Sequence, residues 1–204
     1  MGRVSDARER LMHAVSELIW TGSYGTTTID HICERAGVKK GSFYYFFKSK
    51  ADLATAAIEV EWGKYRAELD SVFSATVPPL ERFERFCELK YREQLELLKK
   101  HGYVLGCPLC TLGAEVSTRE QKLRRQIEGI MSQIRKYLET AIRDAQREGS
   151  VQVRDVEATT EVMYAYMEGL LTQARIQNDV KLFKGMARGV LMILGVRDEV
   201  KAAA

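Results

Sequence analysis

The sequence predicts an all-α protein, and three observations carry that expectation. Apolar residues recur at helical spacing along most of the chain; Leu11, Ala14, Val15, Leu18 and Ile19, at i, i+3, i+4, i+7 and i+8, are the first example. No stretch alternates apolar and polar residues as a half-buried strand would. Only three prolines occur in 204 residues, at 78, 79 and 108, and all stand between periodic stretches.

The first helix is predicted from Ser5 to about Thr21. Gly22-Ser23-Tyr24-Gly25 breaks it, and Thr27 or Thr28 supplies a hydroxyl to cap the next helix. Ile29, Ile32, Cys33 and Ala36 give that short helix one apolar face. Gly37 ends it, because glycine enters the left-handed cap conformation without a side-chain penalty. Lys39, Lys40, Gly41 and Ser42 open a third helix, anchored by Phe43, Phe46 and Phe47, with Tyr44 and Tyr45 left on its outer side. Two short helices joined by a tight glycine turn make a helix-turn-helix. The second begins with cations, a bare backbone and a hydroxyl, which suits a groove lined by phosphate.

The run from Thr27 to Leu53 resembles the DNA-binding domain of TetR-family transcriptional regulators. Thr28, Ile32, Ala36, Gly37, Val38, Gly41, Ser42, Tyr44, Phe47, Lys50 and Leu53 fall in register with it. Two positions depart from the pattern. His31 stands where the family usually has an acidic residue three places after the helix cap, and Lys48 adds a cation where a small residue is common. The resemblance implies an all-α fold of about nine helices. Residues 1–50 would form a three-helix DNA-binding domain, and residues 51–204 a helical ligand-binding and dimerisation domain.

The remaining elements follow the same logic. Ser49 with Asp52 resembles a capping box, so a helix is predicted from Lys50 to about Ser74, with Leu53, Ala57, Val60, Lys64 and Ala67 on one side. Val77-Pro78-Pro79 precedes a helix from Leu80 to about Lys100, which His101-Gly102 ends. Gly106-Cys107-Pro108-Leu109-Cys110 opens a short helix to about Val116. Arg119–Glu148 reads as one long helix, closed by Gly149-Ser150. Asp155 to Gln177 and Asp179 to Gly195 form a last pair joined at Asn178, and the tail from Lys201 is expected to fray. That makes nine helices.

Charge is unevenly placed. Residues 1–50 hold eight lysines and arginines against five acids, while residues 51–204 balance, so the whole formal excess of +3 lies with the helix-turn-helix. No apolar run is long enough to span a bilayer, and the charged N-terminus lacks the apolar core of a signal peptide. The protein is read as cytoplasmic, with no membrane partner. Its four cysteines are then expected to be reduced thiols.

Three constellations carry function. For double-stranded operator DNA, Lys39, Lys40, Ser42 and Tyr44 are the candidates for base edges or close phosphates, and Gly41 for close approach. Thr28, Tyr45, Lys48 and Lys50 are the candidates for phosphate contacts, and Arg3 for an arm. The apolar stripes of the last two helices exceed what one small domain buries, and are expected to form a four-helix homodimer interface. The Cys107–Cys110 segment admits three readings: simple packing, a thiol that senses a reactive effector, or a metal site with His101, for which no fourth ligand is evident. Trp62, Tyr103 and Tyr164 are nominated beside the two cysteines as effector-binding residues. No phosphate loop, nucleophile elbow or zinc-protease motif occurs, so no catalytic residue, cofactor or metal is assigned. The expected function is a DNA-binding regulator, a repressor released by a small-molecule or electrophile effector. A small-molecule binding module without a DNA role is the alternative.

Overall fold

The computed structural model describes residues 2–196, with side chains from Asp6 onward. The side chain of Arg3 and the tail beyond Val196 lie outside the described residues. Among those described there are nine α-helices, one 3-10 stretch and no strand. The helices are α1 Gly2–Thr21, α2 Ile29–Ala36, α3 Lys40–Phe46, α4 Lys50–Val72 and α5 Pro79–His101. They continue with α6 Pro108–Val116, α7 Gln121–Arg147, α8 Val156–Gln177 and α9 Met186–Ile193. None of them is long and apolar enough to cross a membrane.

Two compact units emerge. The first joins Met1–Arg66 to Pro108–Ile130, so α6 and the start of α7 pack with the N-terminal helices. Its core includes Leu11, Val15, Ile32, Phe43, Leu53 and Leu123, all essentially inaccessible to water. The second joins Ala67–Cys107 to Met131–Ala204, around Leu69, Phe83, Leu138, Ile142, Met163 and Met186. Each such fully buried aliphatic or aromatic side chain contributes roughly 1.5–3 kcal/mol from burial.

Helix α4 departs from the predicted pattern. Leu53 and Ala57 are buried, but Val60, Lys64 and Ala67 on the same side are exposed. Further along, Trp62 and Leu69 are buried instead, about half a turn round the helix. The helix meets a different environment in each half, and a single periodic stripe cannot describe it.

The last predicted helix also differs. It begins as a 3-10 stretch, Val180–Gly185, before α9. The Asp179 carboxylate accepts from the Lys181 amide at 2.8 Å, and the Tyr166 hydroxyl donates to the Gly185 carbonyl at 3.4 Å. A Cβ at Gly189 would stand 2.0 Å from that hydroxyl oxygen, so glycine is what lets Tyr166 pack there.

Buried polar groups brace the second unit. Arg82, only 4% exposed, donates to the Val77 carbonyl at 2.8 Å and forms an ion pair with Asp144, joining α5 to α7. At the surface of the same unit, the Tyr137 hydroxyl donates to Asp70.

Candidate nucleic-acid interface and regulatory segment

The helix-turn-helix is assembled by local bonds that its sequence announces. The Thr28 hydroxyl accepts the His31 amide at 3.1 Å and caps α2, so Thr28 rather than Thr27 is the cap. Gly37 adopts φ 63°, and the Val38 amide donates back to the Cys33 carbonyl at 3.0 Å. Phe43 and Phe47 are buried, while Phe46 is half-buried. Longer-range pairs fix α1 against α2. The Arg35 guanidinium grips Glu17 through two bonds of 2.9 and 2.6 Å, and Arg10 donates to the Ala36 carbonyl at 3.0 Å.

On the outer side of α3, Tyr44 is 55% and Tyr45 76% exposed, and Lys39, Lys40, Gly41 and Lys48 are also exposed. Ser42 is half-buried. Apart from its chain neighbours and the backbone of its own helix, no atom of the described residues lies within 4 Å of where a Gly41 Cβ would stand. Lys40 is not idle: its ammonium pairs with Asp30 of α2 at 2.8 Å. The first turn of α3 receives no side-chain cap from Lys39.

Lys50 has a use that the sequence does not announce. Its ammonium donates to the carbonyls of Tyr24 and Thr27, at 2.6 and 2.8 Å, and lies 4.0 Å over the Tyr24 ring. Burial pushes its pKa down, against the pull of Glu120 and Glu115. Lys50 thus binds the α1–α2 loop rather than standing free for a phosphate. At the start of α4, the Ser49 hydroxyl accepts the Asp52 amide at 3.1 Å, as the capping box predicts, and Asp52 accepts from the Lys48 amide.

The segment before α6 belongs to the second unit up to Cys107. Side chains from α5 and the end of α8 hold its backbone. Asn178 Oδ1 accepts the Val104 amide at 2.9 Å, and Arg175 donates to the Leu105 carbonyl at 2.9 Å. Gln94, 2% exposed, makes a double bond pair with Gly106, accepting its amide at 2.8 Å and donating to its carbonyl at 3.1 Å. Gly106 has φ 65°, and a Cβ there would stand 3.0 Å from the Leu171 carbonyl oxygen. Only glycine fits both demands.

The four thiols differ. Cys33 and Cys87 are buried. Burial pushes both upward, Cys87 to about 12, which disfavours the thiolate. Cys107 and Cys110 are half-buried. Of the other nominated effector residues, Trp62 is buried against Tyr65 and Tyr164 is buried with the Arg135 guanidinium 5.6 Å from its ring centroid. Tyr103 is exposed, on the turn after α5.

Comparison with known proteins draws these features together. Residues 11–57 match the family described as bacterial regulatory proteins, tetR family, and residues 79–190 match tetracyclin repressor-like, C-terminal domain. The transcriptional regulator AcuR of Cereibacter sphaeroides is 28% identical over 173 residues, 84% of this chain and 77% of its own. The HTH-type transcriptional repressor NemR of Escherichia coli strain K12 is 25% identical over 119 residues, 58% of each chain. The crystal structure of a regulatory protein TetR from Rhodobacter sphaeroides superposes with a TM-score of 0.79 at 27% identity, covering 90% of this chain and 96% of that one.

Proposed function

Because this chain belongs to the TetR family and is a DNA-binding transcriptional regulator, we propose that it is a homodimeric repressor that leaves a palindromic operator when an effector acts on it. The exposed face of α3 carries the reading. Two exposed tyrosines, the exposed Lys39 and Lys40 and a glycine crowd this surface, and Lys40 also pairs with Asp30. Lys39, Lys40, Ser42 and Tyr44 read base edges or adjoining phosphates, Gly41 permits close approach, and Thr28, Tyr45 and Lys48 fix the register on the backbone. The functional division falls at the start of α4, with residues 1–50 for DNA and 51–204 for regulation. The NemR relative's name as a repressor supports the sign of the response. The protein acts in the cytoplasm as a regulator rather than an enzyme. A binding module without a DNA role is not favoured, since both matched segments belong to regulator families.

TetR-family regulators are dimers, and the stripe left open on α8 and α9 supports the same assembly here. Val162 and Met192 are 58% and 68% exposed, and Ala165, Thr172 and Ile176 continue the α8 stripe at helical spacing. Val162→Glu with Met192→Glu keeps the fold of the subunit, because neither side chain is buried in it, and gives a monomer in sedimentation at micromolar concentration. A dimer that survives both charges defeats this interface.

For the effector, Cys107 and Cys110 are half-buried, whereas Cys33 and Cys87 are buried. A quinone is captured when the Cys107 thiolate adds to its electrophilic carbon. One S–C bond forms as the ring C=C π bond opens, its electron pair passes to the conjugated carbonyl oxygen, and that oxygen takes a proton from water. The modified state need only favour a spacing of the recognition helices that no longer fits successive major grooves. Two measurements test the reading. Affinity for a duplex selected by the protein from a random library falls steeply as salt rises. Quinone releases that duplex from wild type and not from Cys107→Ser. Equal release from both removes the thiol and leaves a reversible ligand.

A further inference from the structure

The loop that feeds the helix-turn-helix, Gly22 to Thr28, is held from a distance in sequence. Glu115, in the last turn of α6, accepts the Gly25 amide at 3.1 Å and the Ser23 hydroxyl at 3.3 Å through one carboxylate oxygen. Glu120, one residue before α7, accepts the Tyr24 hydroxyl at 3.2 Å. Tyr24 is itself buried and covered by the Lys50 ammonium. Inside the loop, the Thr27 hydroxyl donates to the Ser23 carbonyl at 2.7 Å. Three consecutive residues are thus tied to two carboxylates about ninety positions downstream.

We propose that Glu115 and Glu120 are positioning residues for operator recognition: they clamp the α1–α2 loop to the α6–α7 corner and thereby set where α3 stands. The loop runs directly into Thr28, which caps α2, and α2 leads through Gly37 to α3. The pairs of Arg35 with Glu17 and Arg10 with Ala36 make α1 and α2 one body, so a displaced loop carries the recognition helix with it. Any shift of α6 or of the turn at Ser117–Glu120 therefore pulls on the helix-turn-helix by a route separate from α4. The turn is short and bonded, with the Arg119 and Glu120 amides both donating to the Val116 carbonyl, and transmits displacement rather than absorbing it. The proposal rests on DNA binding through α3 and on no choice of effector.

The probe is the duplex that the full-length wild-type protein selects from a random library, with a random-sequence duplex beside it. Wild-type preference for the selected duplex measures the DNA reading itself; the variants measure the clamp. Glu115→Ala and Glu120→Ala each weaken binding to the selected duplex by about threefold to tenfold, as the loss of exposed or half-buried hydrogen bonds implies. Binding to the random duplex, which does not depend on how α3 is set, stays within about twofold. Glu115→Gln retains an oxygen that accepts the same two donors, and restores most of the lost preference. Tyr24→Phe keeps the buried ring and removes only the hydroxyl, so it reproduces Glu120→Ala and adds nothing to it in the double variant. The proposal is overturned if the alanine variants keep wild-type preference. It is equally overturned if they lose selected and random binding alike, the mark of general destabilisation.

Discussion

The helix-turn-helix and the second compact unit use polar side chains in opposite ways. Around α3 they stand outside: Tyr44 and Tyr45 are exposed, and a Gly41 Cβ would meet nothing beyond its own helix among the described residues. In the second unit some of them are inside and bonded, as with Arg82 between Val77 and Asp144, or Gln94 on the amide and the carbonyl of Gly106. The contrast separates two reasons for a polar residue. A buried and satisfied one holds the scaffold, because an unpaired polar group in the interior is costly. An exposed aromatic or cation with little to do at home is free for a partner.

The largest effect that this contrast predicts is on stability. Arg82→Ala removes one member of a buried ion pair, leaves Asp144 with the exposed Arg147 at 2.9 Å, and strands the Val77 carbonyl. Unfolding in urea should show a loss of about 2–4 kcal/mol, since Arg147 still compensates part of the Asp144 charge. A loss below about 1 kcal/mol would mean that water reaches the site and that the second unit is not braced as described. The counterpart on α3 moves the other observable. Lys40→Ala and Tyr44→Ala should each weaken binding to the selected duplex about tenfold, while the urea midpoint stays close to wild type. If stability falls instead of affinity, these side chains belong to the scaffold and the comparison fails at its functional end.

The same contrast explains what could be read without the structure. The helix-turn-helix was legible because its determinants are local: a cap at Thr28, a left-handed glycine at 37, and anchors at Phe43 and Phe47, all within twenty residues. The helix count and most boundaries followed from periodicity. What escaped is non-local. Lys50 reads as one more cation facing DNA, yet its partners are carbonyls 23 and 26 residues back. Glu115 and Glu120 have no signal that ties them to a loop near the N-terminus. Arg82 lies on an amphipathic helix among charged neighbours, and nothing in its spacing marks it as buried. Helix α4 misled for another reason: its buried side changes midway, which a constant period cannot express. The 3-10 start of the last helical segment depends on Tyr166 meeting Gly185 and Gly189 from another helix.

The smallest predicted effect gives the sharpest comparison, because stability and function move in opposite directions. Gly41 is helical, has an ordinary negative φ, and an added Cβ would meet no described atom within 4 Å beyond its own helix. Within the folded chain there is no reason for glycine, and its backbone freedom costs stability. Gly41→Ala should therefore stabilise the protein, by about 0.5 kcal/mol given its place near the helix start. The methyl group would then stand between α3 and the groove. If the backbone approaches DNA as closely as the sequence implies, binding to the selected duplex weakens by about threefold to tenfold, and binding to random duplex changes less. Thermal unfolding and duplex titration on one preparation decide it. A variant that is more stable and binds as well as wild type would place the close contact elsewhere on α3, with Tyr44 and the lysines reaching the bases from a greater distance.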